Sequence, residues 1–482
     1  MVYSRLQMEE TMNKKSTFAV MFGNRGFFPA SLIAQARQEV TNALKVAGYG
    51  VLLMDENLTR YGAVETPQEG QQFARFLQAH RGEYDGVIIS LPNFGDETGA
   101  VAAVQDAGTP IFIQAYPDDL DKMAPELRRD AFCGKLSIMD VFYQYNLKFS
   151  VRKPHTVHPS SPVFLENMDY FDRVCRVVKG MRRMTVGAIG ARTTPFKTVR
   201  VDEVALQRRG VTVETFDFSD VIARVNALKF SDPACKDKAE VLRHYTSWEG
   251  VPDAAFENLT RLGVVLDQMV AEAQLDAVAI RCWLELQKQL HISVCVLMGE
   301  MNNRGIPAAC EVDVANAVMM YALQLASGSP AALLDWNNNY GEDENRCILF
   351  HCGPVPVGLM QDPGHIEDHA ILANAVGKGC SFGCQVGRIK PCDFTFGSLL
   401  TDSGKTRLYL GQGTFTEDPV PADFFGCAGV AQIDRLQDVL LHIGKNGYRH
   451  HVGVTAGKYQ QPLAEALGDY LGYEINIPQG RV

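Results

Sequence analysis

TFAVMF (17–22), followed by GNRGFFP (23–29) and then a stretch of helical period from about 31 to 47, decides the fold. A short apolar run closed by glycine is a strand buried on both faces. A helix directly after it carries the chain back over the sheet. The alternation recurs: GVLLM (50–54), DGVIISL (85–91) and PIFIQA (110–115) are separated by helix-period stretches at about 66–81 and 96–107. Repeated strand–helix units predict an open parallel sheet, an α/β domain.

Working outward, RKPHTVHPSSPVF (152–164) interrupts the pattern as a linker or inter-domain crossing. The pattern then resumes, with TVGAIG (185–190), VTVETF (211–216), DAVAIRC (276–282), IPAAC (306–310) and AALLD (331–335) as strands and the clearest helices at about 255–274 and 314–327. From about 346, CILFHCG, CSFGCQVG, DFTFGSLL and TRLYLGQGTF are short alternating or aromatic-rich runs between glycine-rich turns, the texture of antiparallel β structure. The expected architecture is two open parallel-sheet α/β domains, residues 1–160 and 161–345, followed by a C-terminal antiparallel, barrel-like β domain, 346–482. Roughly 150 residues per domain gives the same count for a chain of 482 residues.

Composition narrows the function classes. Hydrophobic residues make up 46% and charged residues 21%, which excludes a disordered or collagen-like chain. A net charge of −10 offers no general attraction for nucleic acid or an anionic membrane. The leading MVYSRLQMEETMNKKST has no apolar stretch of signal-peptide length, and no later run reaches the length of a membrane helix, so a cytoplasmic protein is expected. Twelve cysteines are too few for a disulfide scaffold. Cys282, Cys295 and Cys310 sit in apolar, strand-like contexts as small hydrophobes, and Cys380, Cys384 and Cys392 lack the paired spacing of a structural zinc site.

Gly23, Gly26 and GAIGAR (187–192) follow strands but spell neither phosphate-binding motif, so tight strand-to-helix turns are the better reading. Two carboxylates carry more information. Glu311 directly follows IPAAC and Asp335 ends AALLD; ligands of open α/β sheets bind outside the carboxyl ends of the strands, where two such acids converge. Capping of a following helix or turn competes evenly on this feature alone. Histidines shift the balance. His450 and His451 are adjacent in GYRHHVGV, and His351 lies in LFHCGP. An HH pair in a regular strand points to opposite faces, so at most one meets a given pocket unless the strand is bulged. Two carboxylates and a histidine form an oxygen-and-nitrogen set suited to a divalent cation such as Mn²⁺.

CWLELQ (282–287), AACEVD (308–313), LLDWNNN (333–339), FHCGP (350–354) and RHHVGV (449–454), in this order, resemble the L-fucose isomerase and L-arabinose isomerase superfamily. GNRGFFP (23–29) and GAIGARTTPFKTVRVDE (187–203) resemble its shorter, fucose-isomerase-like branch. The resemblance implies two α/β domains and a β domain, a bound Mn²⁺, and aldose–ketose isomerisation. It implies Glu311 and Asp335 as the metal-binding catalytic carboxylates and His451 as the metal-ligand histidine. His351 matches a further ligand of the arabinose branch and ranks below these three, and His450 is placed near the metal to contact substrate. Aspartate at 335, where the arabinose branch has glutamate, puts the chain nearer the fucose branch.

Trp283 and Gln287 are candidates for a sugar-facing wall, against the simpler reading of a core tryptophan and a solvated glutamine. Arg25 and Asn93 follow strands of the first domain, at the edge where ligands bind. The family often completes one subunit's site with its neighbour's first domain, so a homo-oligomer is implied. An L-fucose-like or other deoxy or modified hexose is the expected substrate. Some fucose-isomerase-like enzymes act on sulfoquinovose, and Arg25 and Arg192 keep that anionic sugar open as an alternative. A metal-free sugar-binding module, and a lyase or aldolase using the same enediolate chemistry, are the competing classes.

Overall fold

The computed structural model describes residues 14–480; the leading stretch up to residue 13, read above for a targeting signal, lies outside the described residues. The chain divides into two compact units, one running to Lys179 and including Glu465–Gly472, the other formed by Gly180–Ala464 and the chain from Tyr473 onward.

In the N-terminal unit β1 (Thr17–Gly23), β2 (Gly50–Leu53), β3 (Ala63–Val64), β4 (Gly86–Leu91) and β5 (Ile111–Ala115) form one parallel sheet, ordered β2-β1-β4-β5 with β3 paired to the end of β1. Alternation along β1 supplies both cores: Phe18, Val20 and Phe22 face one hydrophobic cluster, Ala19 and Met21 the other. That is why TFAVMF reads as continuously apolar.

One buried cation in this unit yields a stability prediction. Lys135, on the helix Ala131–Gln144, is 3% exposed and donates from Nζ to the His155 carbonyl at 2.8 Å. Burial pushes its pKa down to about 8. Unfolded lysine keeps its proton to about pH 10.4. Between these values the unfolded chain binds more protons than the folded one, so stability rises with pH. Urea unfolding of the wild type should gain about 2 kcal/mol from about pH 8 to about pH 10. Lys135→Met should lack that increment, and equal pH responses in the two proteins would refute it.

In the other unit β6 (Met184–Ile189), β7 (Val211–Phe216), β8 (Ala277–Ile280) and β9 (Ala308–Cys310) form a second parallel sheet ordered β7-β6-β8-β9. The remaining strands are β10 (Ala331–Asn339), β11 (Arg346–His351), β12 (His365–Asp368), β13 (Phe382–Arg388), β14 (Cys392–Asp402), β15 (Lys405–Phe415), β16 (Cys427–Gln432), β17 (His451–Ala456) and β18 (Glu474–Asn476). They make a mixed, mostly antiparallel sheet of nine strands, in which β16, β11, β10, β17, β14 and β15 pair in succession. A short β15–β16 contact, Thr414 opposite Gln432 and Phe415 opposite Ala431, returns the pairing to its start, giving the barrel-like form. Its longest hairpin, β14–β15, turns through Ser403 (φ 52°) and Gly404 (φ 76°), the two left-handed residues that a two-residue hairpin loop requires.

AALLD is thus not a strand of the second parallel sheet. It opens β10, which pairs antiparallel with β11 and β17. A short apolar run gives no sign of which sheet it joins, because burial on both faces looks alike in either. The helix Val314–Ser327 lies against β14 and β17 through two glycines. A Cβ on Gly397 would stand 2.9 Å from Met319 Cε, and one on Gly453 would stand 3.0 Å from Leu323 Cδ1. No helix among the described residues is long and apolar enough to cross a membrane.

Candidate active site

Glu311 leaves the end of β9 in a turn whose backbone is left-handed at both Glu311 (φ 62°) and Val312 (φ 59°). Such a conformation costs a β-branched residue about 1–3 kcal/mol and persists only where neighbours enforce it. Here Val312 N–H donates to Ile280 O (3.2 Å) and Asp313 N–H to Cys310 O (3.0 Å). Asp313 then caps the helix Val314–Ser327, accepting from Asn316 N–H at 3.2 Å. The capping reading considered for Glu311 and Asp335 therefore falls on the neighbouring Asp313.

Asp335 and His451 stand directly opposite each other in the β10–β17 register, which puts both side chains on one face of the sheet. His451 Nε2 lies 2.8 Å from Glu311 Oε2 and 3.5 Å from Asp335 Oδ1. His450 Nε2 is 3.8 Å from the same Asp335 oxygen, and the two imidazoles are 4.5 Å apart. Both histidines thus face the cluster. β17 begins at His451, so His450 precedes the strand and strand alternation does not bind it.

Asp313, 0% exposed, accepts from His451 Nδ1 at 2.8 Å and pairs with the buried Arg449. With its Nδ1 proton held by Asp313, His451 would offer Nε2 to a cation that displaces the second proton, the arrangement of a metal-ligating histidine held by an outer carboxylate. Burial works against charge on His451, but the bonds to Asp313 and Glu311 raise its pKa to about 10. Burial also pushes Glu311 up, and His451 and His351 outweigh it, so the carboxyl sits below its usual range. His450 is shifted the other way, first by burial and then by His451, which favours its neutral form.

The cluster suits a divalent cation. Asp335 Oδ1 is buried without a hydrogen-bond partner, 3.5 Å from His451 Nε2, and that nitrogen lies 2.8 Å from Glu311 Oε2. Asp313 is already paired with Arg449, whereas Glu311 and Asp335 both turn an oxygen toward His451 Nε2. One donor atom each from Glu311, His351 and His451, and one each from Asp335, His450 and His451, lie within 4.8 Å of one another. Carboxylate and imidazole donors fit Mn²⁺, Zn²⁺ or similar ions.

Trp283 donates from Nε1 to Glu311 Oε1 at 2.9 Å, fixing that carboxylate. Phe196 packs near three rings of the site, with centroids 5.8 Å from Trp283, 5.6 Å from His450 and 5.9 Å from His451. The Phe196 loop also carries Arg192, whose Nη1 donates to the carbonyls of Thr193, Thr194 and Phe196 at 3.2–3.4 Å. His351 accepts the Cys352 N–H on Nδ1 at 2.9 Å, so its neutral ring carries the proton on Nε2 and offers a donor there rather than a ligand. Gln287 is fully buried and bonds its own segment, donating to Cys282 O (2.9 Å) and Ser293 Oγ (3.1 Å).

Arg25 and Asn93 meet in the N-terminal unit, at the ends of β1 and β4. Asn93 Oδ1 accepts the Arg25 N–H at 3.3 Å, and the Arg25 guanidinium pairs with Glu97 and lies 4.4 Å over the Phe94 ring. Among the residues sequence reasoning missed, Asp313 and Arg449 flank positions already singled out. The capping position before a long helix was the available signal for Asp313.

Family comparison gives matches at both ends of the chain. The model described as fucose/sulfoquinovose isomerase, N-terminal domain, matches residues 19–182, and the one described as L-fucose isomerase, C-terminal domain, matches residues 349–478. Glu311 and Asp335 lie between the two spans. Sulfoquinovose isomerase of Priestia aryabhattai is 20% identical over 411 residues, covering 84% of this chain and 89% of that protein. Sulfoquinovose isomerase of Alkalicoccus urumqiensis is 22% identical over 319 residues, 65% of this chain and 70% of that protein. That of Clostridium sp. (strain MSTE9) is 24% identical over 323 residues, 66% and 70%. With two matching domain models in order, the chain belongs to the fucose-isomerase-like family of aldose–ketose isomerases.

Proposed function

We propose that the protein is a divalent-metal-dependent isomerase that interconverts sulfoquinovose and its 2-ketose, 6-deoxy-6-sulfofructose, with Mn²⁺ as the metal. The observation that carries the reaction is the convergence of Glu311, Asp335 and His451, with His451 Nε2 2.8 Å from Glu311 Oε2 and 3.5 Å from Asp335 Oδ1. The names of the relatives support the sugar. An L-fucose-like hexose is the second reading, favoured by the description of the C-terminal domain model and by the existing pairing of Arg25 with Glu97.

Glu311, Asp335 and His451 would hold the cation, which when bound supplies Lewis-acid stabilisation of the negative charge that develops as the carbonyl moves, worth several kcal/mol. Glu311 and Asp335 carry the proton between C2 and C1 of the open-chain sugar. Such acid–base transfer contributes about 10²–10⁴ in rate. Trp283 occupies Glu311 Oε1 and leaves Oε2 for this work. Asp313 holds the His451 ring and its tautomer. His450, half-exposed beside Asp335, would hydrogen-bond a sugar hydroxyl, a role its position beside the carboxylate supports.

Arg192 is the residue we assign to the sulfonate. Its backbone carbonyl partners engage Nη1, and a guanidinium fork matches a tetrahedral anion. Arg192→Gln should raise KM for sulfoquinovose at least tenfold with little change in kcat, and should leave any turnover of L-fucose unaltered. Product analysis with Mn²⁺ over both sugars, L-arabinose and D-arabinose tests the reaction itself. Tight sugar binding without turnover would instead indicate a binding module, and loss of carbon number in the product a lyase. Twelve free thiols support the cytoplasm as its compartment. A homo-oligomer whose first domain completes a neighbour's site is the assembly expected on sizing in solution.

A further inference from the structure

Three cysteines gather around His351. Cys310 is the last residue of β9, immediately before Glu311; Cys352 follows β11 and His351; Cys295 opens the helix Cys295–Asn303. Cys295 Sγ and Cys352 Sγ are 3.5 Å apart, and Cys352 Sγ is 3.3 Å from His351 Nδ1. One donor atom each from Cys310, His351 and Cys352 lies within 4.8 Å of the others. Cys295 and Cys310 are buried at 1% and 0% exposure.

The spacings around Cys352, 3.5 Å to Cys295 Sγ and 3.3 Å to His351 Nδ1, are close to those of a coordination shell. Tetrahedral ligands about 2.3 Å from a central zinc stand about 3.8 Å from one another. Three sulfurs and one imidazole are the donor set of a closed Cys₃His site, and thiolates select soft cations over Mn²⁺. His351 Nδ1 faces this side of the ring, accepting the Cys352 N–H at 2.9 Å, a bond that a cation on Nδ1 would displace. None of the three thiols is used by the isomerase chemistry described above, and apolar packing alone does not call for sulfur atoms clustered beside an imidazole.

We propose that Cys295, Cys310, Cys352 and His351 form a second cation site, rich in thiolate and specific for a soft divalent ion such as Zn²⁺ or Cd²⁺, next to the oxygen-rich cluster of Glu311 and Asp335. Binding forms three metal–sulfur bonds, and each thiol releases its proton to solvent. The site does not depend on which sugar is isomerised or on the catalytic role of the carboxylates.

Cd²⁺ is the probe, added to the full chain already saturated with Mn²⁺. One equivalent should produce the ultraviolet thiolate-to-cadmium charge-transfer band, and cadmium NMR of the wild type should place the ion among sulfur-rich sites. Cys352→Ser and Cys310→Ser should each weaken Cd²⁺ binding at least tenfold. Cys133→Ser, which removes an exposed thiol elsewhere, should leave it unchanged. No charge-transfer band, a cadmium resonance typical of oxygen ligands, or a band that survives Cys352→Ser would overturn the proposal. The wild-type NMR arm decides the matter even where a cysteine variant fails to fold.

Discussion

Glu311→Gln should lower kcat about a thousandfold, within the range attributed to a positioned acid–base group, while the protein keeps its fold. The substitution preserves volume and lets an amide oxygen accept from Trp283 Nε1 as Oε1 does now. The other end of the side chain then presents N–H groups to His451 Nε2, where Oε2 stands at 2.8 Å. An acceptor for a proton and a cation becomes a donor that occupies the histidine lone pair. On the proposed roles both the base and one metal ligand are lost, so excess Mn²⁺ should not restore turnover. Kinetics at saturating Mn²⁺, metal content by elemental analysis and urea unfolding check the three statements separately. Near-normal kcat in a variant with full metal content would remove Glu311 from the chemistry.

How much of this was legible in the sequence depends on which physical signal each residue obeys. β1, β4 and β5 were readable because strands buried on both faces leave unbroken apolar runs between turn residues. The two parallel sheets and the β-rich C-terminal part followed from the same patterning. AALLD was readable as a strand, but its sheet was not. Membership was set by antiparallel pairing with β17, more than a hundred residues later, and no local pattern records such a partner.

Site residues divide in the same way. Glu311, Asp335 and His451 were singled out through chemistry and family resemblance, and pairing in the folded chain brings them together. The two adjacent histidines share a site because the strand starts between them, a boundary that sequence patterns locate only to within a few residues. Gln287 was placed in the sugar wall because it follows a strand; in the fold it braces its own segment. Cys282, Cys295 and Cys310, read as small hydrophobes, are buried, but the approach of Cys295 to Cys352 joins residues 57 apart in sequence, which no local pattern records.

Asp313→Asn should lower Mn²⁺ affinity by about 10–100-fold, the cost typical of losing an outer partner of a ligating histidine, and should destabilise the fold by about 3 kcal/mol. Every group around Asp313 is a donor. One oxygen accepts from Arg449 and from Asn316 N–H at 3.2 Å; the other accepts from His451 Nδ1 at 2.8 Å and Asn316 Nδ2 at 2.7 Å. Burial pushes the carboxyl up, but Arg449 and His451 outweigh it and hold it well below its usual range. An asparagine must turn its N–H₂ toward one of these sets. Facing Arg449, it leaves a buried guanidinium that has no acceptor capacity and has lost its counter-charge. Facing His451, it forces the imidazole to accept on Nδ1, and the proton moves to Nε2, where a cation would otherwise bind. In that orientation the carboxylates Glu311 and Asp335 are untouched. High Mn²⁺ should therefore recover much of the turnover in Asp313→Asn and none in Glu311→Gln. Titrating activity against Mn²⁺ in both variants makes the distinction. Unchanged Mn²⁺ affinity in Asp313→Asn would mean that the Asp313–His451 bond serves the fold alone.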